Sequence, residues 1–173
     1  SLVNGLGLPS AGKQSHNDCA IYALSNATGV PYTIVAARAA ELIREGKWRS
    51  TEQLANPQKI MEDGLIGGEV VMLAEDYGIA EIISSNDFAK TLKEGHLVMV
   101  NMVPSNGDFR QGHEVVLTKT FLHKGQTWFE MIDSNQEGNF QRLYLSKEEL
   151  QTMIQEMGVS YRPEKGTVPK LLR

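Results

Sequence analysis

Cysteine is nearly absent from this sequence: Cys19 stands alone in 173 residues. A single thiol excludes an intramolecular disulfide framework and any zinc site built from several cysteines. It leaves that sulfur as core filler, a reactive thiol, or half of an intermolecular bridge. A surplus of positive charge is also missing. Lys and Arg number 17 against 21 Asp and Glu, for a net charge of −4. Neutralising phosphates needs the opposite balance, so no nucleic-acid partner is expected. No apolar run approaches the roughly 20 residues that a membrane-spanning helix needs, so no membrane span is expected. Ser1-Leu2-Val3-Asn4-Gly5 lacks the basic and apolar regions of a signal peptide. It reads as a cut from a longer parent, which leaves the location of the protein unknown.

What is present suits one globular domain. Hydrophobic residues make up 41% and charged residues 22%, enough apolar surface for a single core at this length. Residues 1–13 read as a Gly-, Ser- and Pro-containing lead-in segment. Asn17 or Asp18 caps a short helix beginning at Cys19 and running to Leu24, with Gly29 and Pro31 beyond it. Thr33 to Glu45 is a second helix, with an apolar face expected at Ile34, Ala37, Ala40 (with Ala36) and Ile43. Lys47 to Gly68 reads as loop around a short helix at Gln58 to Glu62. Glu69 to Tyr77 is helical, Ile79 to Ile83 a strand, and Ser85 or Asn86 caps a helix through Lys93.

Leu97 to Val103 is a strongly apolar strand, expected to be central, followed by a polar loop from Pro104 to Gly112. Glu114–Phe121, Thr127–Ile132 and Phe140–Leu145 are strands by their β-branched and aromatic content. Ser146 and Glu149 form a capping box for a last helix, Lys147 to Met157. Residues 162–173 read as a weakly structured tail. The plan is α+β: an N-terminal helical part packed on a C-terminal antiparallel sheet, with a cleft between them.

Cys19 falls in the first turn of its helix, where unpaired N–H groups and the helix dipole favour a thiolate. Base rates favour a plainer use, a small buried side chain. A nucleophile needs a base, and His113 is the best placed of the four histidines. It opens the apolar run Val115-Val116-Leu117 beside a polar loop. His16, His96 and His123 lie in turns or loops. Placing the hairpin turn at His123 sets His113 opposite Asp133, Val115 opposite Met131 and Leu117 opposite Phe129, all on one face. Asp133 then orients the imidazole. Asp133-Ser134-Asn135 is equally a good turn sequence, and Asn135 is the substitute orienter in another register. Gln14, in the lead-in, is a candidate oxyanion donor beside the Cys19 N–H. Ligand spacings such as H-x-x-x-H are absent, so no metal or other cofactor is expected.

Gln14, Asn17-Asp18-Cys19-Ala20-Ile21-Tyr22-Ala23-Leu24, Gly112-His113-Glu114-Val115-Val116-Leu117 and Met131-Ile132-Asp133-Ser134-Asn135 together resemble the Gln, Cys, His and Asp/Asn blocks of papain-like cysteine peptidases. The likeness is nearest to the bacteriocin-processing (C39-like) peptidases and runs from about Gln14 to Met157. Two positions depart from the family pattern: Ala20 follows the cysteine where Gly is usual, and Gln14 lies one residue nearer to it. The resemblance implies a single papain-like catalytic domain over residues 1–173. It further implies a Cys19–His113–Asp133 triad, Gln14 in the oxyanion hole, and a protein or peptide substrate cleaved through a thioester. The same superfamily includes glutamine deamidases and transglutaminase-like bacterial toxin or effector domains. Such a domain is delivered within a larger secreted protein and met by a cognate inhibitor or immunity protein. A catalytically inactive binding module on the same fold is the remaining alternative.

Overall fold

A computed structural model describes residues 19–45, 67–102, 113–136 and 139–163, and every structural statement below refers to these. Three helices come first: α1 (Cys19–Thr28), α2 (Tyr32–Arg44) and α3 (Gly67–Glu75). Then come β1 (Gly78–Ser84), a single turn of 3-10 helix at Ser85–Asp87, α4 (Phe88–Lys93) and β2 (Leu97–Met102). The chain closes with β3 (His113–His123), β4 (Gln126–Gln136), β5 (Asn139–Ser146), α5 (Lys147–Met153) and β6 (Ile154–Pro163). The six strands form one antiparallel sheet in the order β1-β6-β2-β3-β4-β5. The α+β plan of helices followed by an antiparallel sheet therefore holds.

The sheet is covered on both faces. Leu97, Met99, Val116, Ile132, Val159 and Tyr161 pack with α1, α2 and α3. Val98, Val100, Val115, Leu117, Phe129 and Met131 pack with Phe88 and Leu92 of α4 and Leu150 of α5. Alternation sends successive β2 side chains into opposite cores, which is why Leu97 to Val100 can all be apolar and all buried. α1 is buried nearly all round, as a helix enclosed by other elements must be. Its end is closed locally. Gly29 takes a left-handed φ of 77°, its N–H bonds the Ser25 carbonyl at 2.9 Å, and the Thr28 hydroxyl donates to the Leu24 carbonyl at 2.6 Å.

The expected α2 face holds at Ala36 and Ala40 and fails at Ile34 and Ala37, and the Ile43 side chain lies outside the described residues. Ile34 is 53% exposed and Ala37 is exposed, while Val35, Ala36, Ala39, Ala40 and Leu42 are buried. Both stripes repeat at helical spacing, and contact with α1 selected the second. Ser146 caps α5 as its sequence predicts, its hydroxyl accepting the Glu149 N–H at 3.2 Å.

Two expectations fail at the C-terminal end. The helix expected over Lys147 to Met157 stops at Met153, and Ile154 begins β6. The tail expected from Arg162 onward gives Arg162 and Pro163 to that strand, where Pro163 faces Gly78. Leu150, Ile154 and Met157 do recur at helical spacing. β6, however, lies between β1 and β2 with helices on both faces, so its buried run Gly158-Val159-Ser160-Tyr161 shows no strand alternation.

The hairpin register also differs. The turn is Lys124-Gly125, with φ of 52° and 76°, the double positive pattern of a type I′ turn. Leu117 pairs with Met131 and Val116 with Ile132, and a bulge lies between Leu117 and Lys119. β3 is thus two residues out from the expected alignment next to the site. A carboxylate pins the three strands together there. Buried Glu130 on β4 accepts from Thr118 (2.6 Å) and Tyr144 (3.0 Å), and pairs with Arg142 (3.0 Å) and Lys119 (3.4 Å). Burial alone would raise the Glu130 carboxyl, but these donors and the Lys119 charge hold it below its ordinary value.

Gly158 tests the placement of β6. A Cβ there would meet the Phe88 ring at 2.8 Å and the Met99 carbonyl oxygen at 3.0 Å. Gly158→Ala should therefore destabilise the protein by about 1–3 kcal/mol, read from denaturant unfolding. An unchanged midpoint would contradict the strand.

Candidate active site

Cys19 is the first residue of α1 and is partly exposed. Packing of α1 against the sheet brings its start to the end of β3, where the Glu114 N–H donates to Cys19 Sγ at 3.4 Å. An N–H aimed at the sulfur is a donor to negative charge developing there. Cys19 is thus at the rim of the core, while Ala20 to Leu24 fill it.

His113 is the first residue of β3, opposite Met102 of β2. Its Nε2 lies 2.7 Å from Asp133 Oδ1. Asp133 sits within β4, paired with Gln141 of β5, so the sequence that doubled as a turn signal is strand. The contact survives the altered register for a geometric reason. A shift of two residues keeps every side chain on its face, whereas a shift of one reverses all of them. His113 and Asp133 become diagonal neighbours on one face, within reach of a ring and a carboxylate.

Cys19 also acts on the imidazole as an electrostatic partner. Burial by itself would lower the His113 pKa. The hydrogen bond to Asp133, the interaction with Cys19 and the charge of Asp133 outweigh it and raise the value from 6.5 to about 10. His113 is therefore an imidazolium at neutral pH. Its contribution to stability is complete below 6.5 and is lost as the pH rises through about 10.

Two neighbours carried no signal in the sequence reading. Glu114 looked like an ordinary strand residue, yet it supplies the N–H to Cys19, and burial pushes its carboxyl up from 4.5 to about 7 against the pull of His113. Asn101, its partner across the β2–β3 ladder, has a buried Oδ1 without a hydrogen-bond partner. A polar residue inside the apolar run Leu97–Val103 was the available clue. His123 sits at the far tip of the hairpin, its ring edge-on to Trp128 at 6.2 Å. Gln14, His16, the helix expected at Gln58–Glu62 and the loop from Pro104 to Gly112 lie outside the described residues. Asn135 belongs to β4, but its side chain is also outside them.

Among the described residues, no group of three or more His, Cys, Asp or Glu is gathered so as to hold a metal ion. None of their helices is long and apolar enough to cross a membrane. No family model matches the chain, and no curated protein matches it. The chemistry of the site therefore rests on its own geometry: an imidazole bonded to a carboxylate, with the thiol held beside it by the N–H of the next residue.

Asp133→Asn keeps the shape of its side chain and removes its charge. The His113 titration should fall by about 1–3 pH units, followed through the ring protons by NMR. An unmoved titration would separate the two groups.

Proposed function

We propose that this chain is a papain-like thiol hydrolase, a cysteine peptidase with Cys19 as nucleophile, His113 as acid and base, and Asp133 as orienter. The observation that carries the reading is an imidazole bonded to a carboxylate, with the only thiol of the chain taking the N–H of the next residue, Glu114. The three groups come from α1, β3 and β4, distant in sequence. The order of a cysteine at a helix start, then histidine and aspartate on neighbouring strands, supports the papain-like resemblance.

The sequence of steps follows from acid–base chemistry. The Cys19 thiolate adds to the carbonyl carbon of an amide, and the carbonyl oxygen becomes an oxyanion. The N–H of Cys19, free of an intrahelical partner at the start of α1, stabilises that charge, with the Gln14 side-chain amide as the second donor. The tetrahedral intermediate collapses with cleavage of the C–N bond, and the His113 imidazolium protonates the departing amine. A thioester and a neutral imidazole remain. The imidazole takes a proton from water, the hydroxide adds to the thioester, and the thiolate leaves the acid product. The imidazolium–thiolate pair is then restored. Asp133 holds the ring in place throughout and stabilises its charged form.

The same centre serves side-chain deamidation or transglutamination when the amide belongs to glutamine, so the walls of the cleft choose the reaction. Mass spectrometry of a lysate treated with the wild type and with Cys19→Ala distinguishes the outcomes. New peptide termini are expected for the peptidase. A gain of about one dalton on glutamine would indicate a deamidase, and new cross-links a transglutaminase.

Cys19→Ala should abolish turnover with the fold retained, since the two side chains pack alike. Full amide turnover by that variant would overturn the thiol mechanism. His113→Ala should slow alkylation of Cys19 at neutral pH by about 100-fold or less, depending on how much thiolate the imidazolium maintains. An unchanged rate would remove His113 from the pair. Wild-type alkylation near pH 6 no faster than that of a small free thiol would point instead to a binding module.

A further inference from the structure

Glu114 and Asn101 face each other across the β2–β3 ladder, immediately beside the pair Met102 and His113. Directly opposed strand residues hold their Cβ atoms about 4.5–5.5 Å apart, within reach of a side-chain hydrogen bond. Asn101 Oδ1 is buried and has no hydrogen-bond partner among the described residues. An ionised carboxylate cannot serve it, because both groups only accept. A neutral carboxylic acid can, because it carries an O–H. The charged and titratable surroundings favour that form. His113 is the cation beside Glu114, and its charge is shared with Asp133 and Cys19. β2 sets uncharged Asn101 and Met102 against this end of β3, and α1 brings Cys19, whose sulfur already takes the Glu114 N–H.

We propose that Glu114 is a positioning residue that works as the neutral acid: its O–H donates to Asn101 Oδ1 and ties the start of β3, with the N–H that meets Cys19 Sγ, to β2. The consequence for turnover rests on Cys19 being the nucleophile; the hydrogen bond itself does not. Burial pushes the carboxyl up to about 7, so ionisation above that value sets two acceptors against each other. A carboxyl raised in the folded state stabilises the fold fully below its ordinary 4.5 and loses that contribution as the pH rises through about 7.

Glu114→Gln keeps a donor for Asn101 and cannot ionise. Thermal unfolding and the rate of Cys19 alkylation by iodoacetamide, both followed from about pH 5 to 9, test the proposal on the full chain. The wild-type Tm should fall by several degrees between about pH 5 and 7 and level off above that, and its alkylation rate should bend near 7. Both features should vanish in Glu114→Gln, while Asn101→Ala should have a lower Tm at acid pH and no bend. A bend that persists in Glu114→Gln, or is absent from the wild type, overturns the proposal. Infrared spectra of the wild type give a check that needs no Glu114 variant. A protonated carboxyl C=O band should disappear near pH 7, and should shift in frequency in Asn101→Ala; absence of either change also overturns the proposal. Neither readout requires substrate. An inactive protein with an intact bend would refute the hydrolase reading and leave the Glu114–Asn101 bond standing.

Discussion

The contact between the Glu114 N–H and Cys19 Sγ joins parts of the chain that are 95 residues apart, and the rest of the site is arranged around it. A hydrogen bond to sulfur is too weak to hold two elements together by itself. The holding is done by apolar burial. Ile21 and Leu24 of α1 are fully enclosed with Val116 and Ile132, which lie on the same two strands as His113 and Asp133. Each such side chain contributes about 1.5–3 kcal/mol when removed from water. The core therefore sets the position of the helix start, and the weak polar contacts at its rim need only refine it.

That division of labour explains why the polar groups can be tuned. His113 is drawn toward its charged form by Asp133 and Cys19, against a desolvation that opposes the charge. Glu114, one residue along, is drawn toward its neutral form by the same desolvation. Adjacent residues on one strand thus hold opposite protonation preferences, because alternation gives their side chains different surroundings. Elsewhere in the sheet, Glu130 stays ionised because it has donors from β3 and β5.

Much of the fold was legible where local chemistry is decisive. Cys19 at a helix start, the Ser146–Glu149 cap and the strand character of Leu97 to Met102 each depend on residues near in sequence. The misreadings share a different origin. The α2 stripe had two solutions at the same period, and contact with α1 chose between them. β6 was taken for the end of a helix because an enclosed strand has no alternation to reveal it. The hairpin alignment was misplaced because the turn sits at Lys124-Gly125 and a bulge follows Leu117, and neither is visible in an apolar pattern.

The sequence by itself determined which groups were available: one thiol, a histidine opening an apolar strand, and an aspartate just beyond the strand that follows. It also determined the parity that lets His113 and Asp133 share a face, because side chains alternate along a strand in any register shifted by two. Only the tertiary structure decided that Cys19 meets this pair. That meeting needs α1 buried against β3 and β4, with β2 and β6 completing the sheet behind them. It alone also revealed Glu114 and Asn101 as neighbours, since pairing across strands is set by register and burial rather than by either residue's place in the chain.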